Sequence, residues 1–347
     1  MSRASSTGAI RVGNVRALPV VLESLGLDPR ARLQSVGLSP AVFEEPEALV
    51  PIAAIDELLH KTVRETGCDH IGLMVGMASP DVGLPGFLML NAPTVRTGLN
   101  DFVTSLSWFD SSSAVAFSEG TDTAILAHSL LAHDMRSADQ IADLSAAVGY
   151  GLLSKLIGPT FEPVEIRLPR RAPLDAAPYK AFFRRGRIKF DAHETAIEFP
   201  AACLDAPVTR ADNALYRFLK GLERKTETAS ECTIAEQIRR VLPNLVRREH
   251  VNNKAVAKMF GLHPRTMARR LAEEGVTLHG LVEDARFEVA KQLLIDTDLG
   301  LTEIAADLFY SDASAFARAF RRKIGETPGS WRKSGRRERE ATFHVSD

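Results

Sequence analysis

The feature that most constrains this chain lies toward its C-terminal end, where Ile304 to Arg332 reads IAADLFYSDASAFARAFRRKIGETPGSWR and a version of the same pattern occurs earlier, at Val256 to Leu271. Each copy has a short helix carrying a small residue (Ala257, Ala305), a tight turn, and a second helix. That second helix has an inward apolar residue (Met267, Phe316), an arginine two positions on (Arg269, Arg318) and a further apolar residue (Leu271, Phe320). The small residue lets two helices cross closely, and the second helix keeps basic and polar side chains outward, as a helix entering a DNA major groove requires. Two such units in one chain imply two adjacent grooves.

Charge supports this reading once it is divided along the chain. The 347 residues carry a net charge of −1, which by itself argues against a polyanionic partner. Residues 1–231, however, hold 23 Lys+Arg against 28 Asp+Glu, whereas residues 232–337 hold 19 against 13, a net of +6. Positive charge is concentrated where the duplicated pattern lies, as a phosphate-binding surface needs.

Ahead of this region the sequence predicts an α+β domain over residues 15–225, preceded by a disordered stretch at 1–14. Val15 to Glu47 reads as two short helices, and Ile52 to Glu65 has the 3.6-residue stripe of an amphipathic helix. Glycines around Ile71 to Met77 and Val82 to Leu90 mark a loop-bearing section. Thr97 to Phe109, with Thr97 as cap, reads as a helix, as does Ala138 to Ile157. Ala114–Ser118 with Thr123–Ser129 forms a hairpin, Val164–Leu168 a strand, and Ile188–Phe190 with Ala196–Phe199 a second hairpin. A helix from Ala211 to Arg224 carries Leu215, Phe218, Leu219 and Leu222 on one side. Thr226 to Cys232 is small and polar, the natural linker at 226–232. An all-α domain, with two helix-turn-helix units joined by a linker helix, then occupies 233–333, and 334–347 is a disordered tail.

The C-terminal residues quoted above, with the closing Gly325, Thr327, Pro328 and Trp331-Arg332, resemble the signature of the AraC-type (AraC/XylS) transcriptional regulators. That family usually has glycine at the second turn, where this chain has Phe309 followed by Tyr310, so the second turn is expected to be shaped differently. The N-terminal part, through Asp69–Gly76 (DHIGLMVG), Gly83–Met89 and Glu162–Phe199, resembles the arabinose-binding-like domain of the ornithine-utilisation and virulence regulator branch. The resemblance implies a DNA-binding regulator controlled by a small-molecule effector. A regulator without effector, whose N-terminal domain only dimerises, is the alternative.

In the first unit Pro264 to Glu273 is the recognition helix, with His263 as cap. Outward positions are Arg265, Ala268 and Arg269, with Arg270 toward one edge. Arginine can bind guanine O6 and N7 with two hydrogen bonds, so Arg265 and Arg269 are expected to read bases and Arg270 to meet phosphate. In the second unit Ser311 is the expected cap. The resemblance places base contacts at Ala313, Ser314, Ala317 and Arg318, with Arg321 and Arg322 against phosphate. Leu278 to Asp296 is the helix between the units.

Other chemistry finds little support. There is no GxSxG, GxGxxG, Walker loop or HExxH, so no enzyme is expected. His128, His133 and Asp134 are spaced poorly for a metal, and no metal or cofactor is called for. The three cysteines, Cys68, Cys203 and Cys232, read as small buried hydrophobes of a reducing compartment. With no apolar span and no leader-like segment, the cytoplasm is the expected location. Expected partners are double-stranded DNA, a small-molecule effector, RNA polymerase and a second copy of the chain. For that homodimer, Leu215, Phe218, Leu219 and Leu222 are the candidate surface, unless the stripe packs on its own domain.

Overall fold

The computed structural model describes residues 8–335 except 80–82, 110–112, 131–134, 160, 193, 230–232, 247–250, 261 and 298. The chain divides into two compact units, Met1–Cys232 and Thr233–Asp347.

The first unit begins inside the segment expected to be disordered. Ala9–Arg11 is strand β1, paired antiparallel with β2 (Leu49–Pro51), and Val12–Val15 (α1) follows directly. Ile10, Val12 and Val15 are buried beside Leu18 and Leu22 of α2 (Leu18–Ser24) and Leu33 of α3 (Pro29–Gln34), and this burial holds the segment in place. Helix α4 (Ile52–Thr66) is the expected amphipathic helix and buries Ile52, Ile55, Leu58 and Leu59.

The section read as loops is two apolar helices, α5 (Ile71–Ala78) and α6 (Gly83–Asn91). Its glycines serve close packing rather than turns. A Cβ on Gly72 would lie 1.9 Å from the Gln140 carbonyl oxygen, and one on Gly76 would lie 2.5 Å from that of Leu144. Both partners belong to α8 (Ala138–Ile157), so α5 and α8 cross with backbones nearly touching. Gln140 fastens the crossing, accepting from the Gly72 N–H at 3.0 Å and donating to the Asp69 carbonyl at 2.8 Å. Between them in sequence, α7 (Val95–Phe109) starts two residues before its expected cap. The Thr94 hydroxyl, not that of Thr97, accepts from a first-turn backbone N–H, that of Thr97, at 3.2 Å.

A five-stranded sheet completes the unit. Strands β3 (Ser113–Glu119) and β4 (Thr123–Leu130) form the expected hairpin. Then come β5 (Glu165–Arg167), helix α9 (Ala177–Phe182), β6 (Arg187–Lys189) and β7 (Thr195–Pro200). The sheet order is β3-β4-β7-β5-β6. The second hairpin is therefore not formed. β5 lies between β6 and β7, pairing parallel with β6 and antiparallel with β7. A buried Asp143 on α8 accepts hydrogen bonds from Arg170 and Tyr179, each at 2.6 Å, tying the β5–α9 connection to α8. Burial pushes the Asp143 carboxyl up to about 6, against the pull of the Arg170 guanidinium.

Helix α10 (Asn213–Ala229) runs on through the first four residues of the expected linker, and the other three lie outside the described residues. A polar network fastens it to α7. Tyr216 donates to Asp101 at 2.6 Å, and Lys220 bonds Asp101 at 2.9 Å and Glu223 at 2.5 Å.

The second unit is all helical: α11 (Ile234–Leu245), α12 (Asn253–Met259), α13 (Pro264–Glu273), α14 (Leu278–Asp296), α15 (Leu301–Asp307) and α16 (Ala313–Ile324), with a last helical stretch at 328–335. Thr233 and Glu236 form a reciprocal capping box at the start of α11. One core joins Met267, Leu271, Phe316 and Phe320 with α14, which buries residues over most of its circumference and leaves Asp284 and Glu288 exposed.

Candidate nucleic-acid interface

The two helix-turn-helix units repeat each other down to the backbone hydrogen bonds. At the end of α12 the Leu262 N–H donates to the Ala257 carbonyl at 2.8 Å, and at the end of α15 the Tyr310 N–H donates to the Ala305 carbonyl at 2.8 Å. The two small alanines occupy equivalent places, both buried. By this alignment Phe309 stands where the first unit has Gly261, a residue outside the described ones. Phe309 has φ +59°, one of two non-glycine residues with positive φ among those described. The second turn thus keeps the left-handed shape that glycine usually supplies, and the backbone cost falls on Phe309. The expectation of a differently shaped turn is corrected at this residue, whose backbone is left-handed; the difference lies further on.

After that point the second turn is one residue longer. In the first unit His263 follows Leu262 and caps α13, its Nδ1 accepting from the Arg265 N–H at 3.3 Å. In the second, Ser311 intervenes, so the cap is Asp312 and not Ser311: its Oδ1 accepts from the Ala315 N–H at 2.7 Å. Ser311 instead supports the cap, donating to Asp312 Oδ2 at 3.2 Å. The Ala315 N–H, the Ser311 hydroxyl and the nearby Arg318 charge hold the Asp312 carboxyl below its ordinary range.

With Met267, Leu271, Phe316 and Phe320 buried, α13 and α16 each turn one face outward. Arg265, Ala268, Arg269 and Arg270 are exposed on α13. On α16 Ser314, Arg318, Arg321 and Arg322 are exposed, and Ala313 and Ala317 half-exposed. Arg269 is partly offset by Glu273 one turn on, Nε to Oε1 3.7 Å.

Sequence reasoning missed the residues that fix the second head to α14. Lys323 pairs with Asp284 at 2.7 Å, Phe287 meets the Phe320 ring with centroids 6.4 Å apart, and Arg286 lies 5.9 Å from the Tyr310 ring centroid. The closing Trp331-Arg332 works from the other side. Trp331 packs on Phe320, and Arg332 donates to the Leu294 and Leu299 carbonyls at and just beyond the end of α14. These partners stand on different helices far apart in sequence, so no local spacing signals the contacts, and tertiary packing brings them together.

The N-terminal compact unit contains a cavity of about 80 Å³ between α7, α8 and the sheet, with Phe102, Leu106, Leu126 and Ile197 among its lining residues. α7 therefore faces the cavity with Phe102 and Leu106 and holds α10 with Asp101 and Ser105. The α10 stripe divides: Leu219 is 8% exposed and packs into its own unit, whereas Phe218 is 64%, Leu215 40% and Leu222 37% exposed.

His128 lies on β4, while His133 and Asp134 fall outside the described residues. Cys68 and Cys203 are half-buried, not fully buried as expected, and burial pushes both thiols up; Cys232 lies outside the described residues.

Sequence comparisons point to the same two-part organisation. Residues 26–208 match the family described as the arabinose-binding domain of AraC transcription regulators, N-terminal, and residues 256–334 match a helix-turn-helix domain family. VirS, an HTH-type transcriptional regulator of Mycobacterium tuberculosis, is 26% identical over 94% of this chain and 97% of its own length. The ornithine utilization regulator of Pseudomonas aeruginosa is 25% identical over 53% of this chain and 55% of its own. Among solved structures, the transcriptional regulator CdpR of P. aeruginosa is 23% identical with a TM-score of 0.42, covering 88% of this chain and 96% of that one. The match over more than half its length, ahead of a paired helix-turn-helix domain, makes this chain a member of the AraC-type transcriptional regulators, in the branch with the arabinose-binding-type N-terminal domain.

Proposed function

We propose that the chain binds double-stranded DNA sequence-specifically through residues 233–333 and that a small molecule bound in residues 15–225 controls this binding. The observation that carries the reading is the pair of recognition helices, each with its apolar side buried and an arginine-bearing face open. Arg265 and Arg269 read bases, with Ala268. In the second head Ala313, Ser314, Ala317 and Arg318 do so, with thymine methyl contacts replacing hydrogen bonds at the alanines. Arg270, Arg321 and Arg322 hold phosphates. Helix α14 is 19 residues long, about 28 Å at 1.5 Å per residue, which suits two heads in successive grooves roughly 34 Å apart.

The effector half of the reading is supported by the family match and by the cavity, and α7 offers a route from the cavity to α10. The outward residues Leu215, Phe218 and Leu222 are the homodimer surface. RNA polymerase is the further partner and the cytoplasm the location, both following from regulation of transcription.

The test is a binding titration at fixed salt on a duplex obtained by in vitro selection and on its scrambled form. Arg269→Ala is expected to cost about 1–3 kcal/mol on the selected duplex only, and Arg322→Ala to weaken both alike. Equal losses on both duplexes for Arg269→Ala would remove it from base reading.

A further inference from the structure

The family carries arabinose in its description, but the wall of this cavity is built for something else. Among the described residues twenty line it; of these, Asn14, His128, Ser145 and Thr195 have polar side chains, and none is Lys, Arg, Asp or Glu. Three of the four converge. His128 and Thr195 are direct cross-strand partners on β4 and β7, so their side chains share one face of the sheet. Ser145 reaches that face from α8, with its Oγ 3.4 Å from His128 Nε2. Leu126 and Ile197, the next pair on the same face of these two strands, begin the apolar wall, which Phe102 and Leu106 continue from α7.

This distribution selects a ligand by what it leaves unsatisfied. A pentose brings several hydroxyls, each needing partners once removed from water. The wall offers four polar side chains, and Ser145 already donates to the Ile141 carbonyl at 2.8 Å. A zwitterion such as an amino acid would bury two charges with no fixed countercharge among the described lining residues. The volume of about 80 Å³ compares with roughly 10–15 Å³ for one water, so the space suits a ring or a short chain.

We propose that this cavity is the effector site and that it takes a small apolar molecule with a single hydrogen-bonding head, the head lying against His128, Ser145 and Thr195. The assignment rests on the effector reading above, and its test separates the two. The full-length chain is titrated calorimetrically with phenol, toluene and L-arabinose, as wild type and as His128→Phe and Thr195→Val, which keep ring size and side-chain volume. Phenol is expected to bind at least tenfold more tightly than toluene in the wild type, and arabinose not to bind. In His128→Phe phenol falls to the level of toluene, in Thr195→Val it moves the same way, and toluene changes less than twofold in both. Saturable arabinose binding, no binding of either aromatic probe, or phenol affinity unchanged in both variants overturns the proposal. In a parallel arm, a metabolite extract is added to the DNA titration. An extract that alters DNA affinity equally in wild type and variants keeps effector control but moves its site elsewhere. If phenol binds as expected while the extract leaves DNA affinity unchanged, the ligand class stands and effector control falls.

Discussion

Phe309 offers the sharpest test of the backbone argument at the second helix-turn-helix unit. Its φ of +59° places a bulky L residue in the left-handed region, at a cost of roughly 1–2 kcal/mol. Glycine there escapes the steric cost but loses more freedom on folding, by roughly 0.5–1 kcal/mol relative to alanine. Replacing the half-buried ring by either residue forfeits the same packing, about 1 kcal/mol for half of a phenylalanine. The informative comparison is therefore between the two variants. Phe309→Gly is expected to be more stable than Phe309→Ala by about 0.5–1 kcal/mol, the reverse of an ordinary helical position, where alanine is favoured by about 1 kcal/mol. Trp331 packs on Phe320 of the same unit, and the chain has one other tryptophan, Trp108. In a Trp108→Phe background, denaturant unfolding followed by fluorescence reports on the second unit alone. Alanine equal to or better than glycine would refute the strain argument, because no other term in the comparison favours glycine.

Three further outcomes follow from other parts of the molecule. Asp312 is held below its ordinary carboxylate range, near 4, so the folded chain binds fewer protons there than the unfolded chain. Its stabilisation is present above about pH 4 and is lost as pH falls through the depressed value. Asp312→Asn keeps an acceptor without a charge, and a stability difference from wild type that stays constant from pH 7 to acid would contradict the assignment. Gly76→Ala is expected to destabilise the first unit by about 1–3 kcal/mol, since its Cβ would meet Leu144 and Ala147 at 2.5 and 2.7 Å. Gly151→Ala on α8 meets nothing within 4 Å and is expected to be neutral or stabilising by up to about 1 kcal/mol; urea unfolding of both variants checks the contrast. Phe218→Glu is expected to leave the chain folded and shift it toward monomer in analytical ultracentrifugation, whereas Leu219→Glu unfolds its domain; a wild type monomeric at micromolar concentration defeats the dimer reading.

The helix-turn-helix domain was legible from residues alone because its signals are local. Ala257 and Ala305 at the crossings, Met267, Leu271, Phe316 and Phe320 inside, and arginines between them follow from helical periodicity, and the fold places each where that spacing puts it. The long helices at 52–66, 138–157 and 278–296 were equally plain. Four features needed the tertiary structure. Gly72 and Gly76 carry the same local signal whether they break a chain or let two helices touch, and only the presence of α8 separates the cases. The strands near 187 and 199 have hairpin spacing, yet β5 takes the place between them, since strand partners are chosen by which faces can be buried together. Ser311 is as good a cap as Asp312 by type, and the extra residue in the turn decides between them. The face of α10 is uniform as a pattern, but contact with the rest of the domain covers Leu219 and leaves Phe218 in solvent. Local propensity and periodicity are written along the chain, whereas close approach, strand order and burial depend on partners distant in sequence, which one sequence does not specify by spacing.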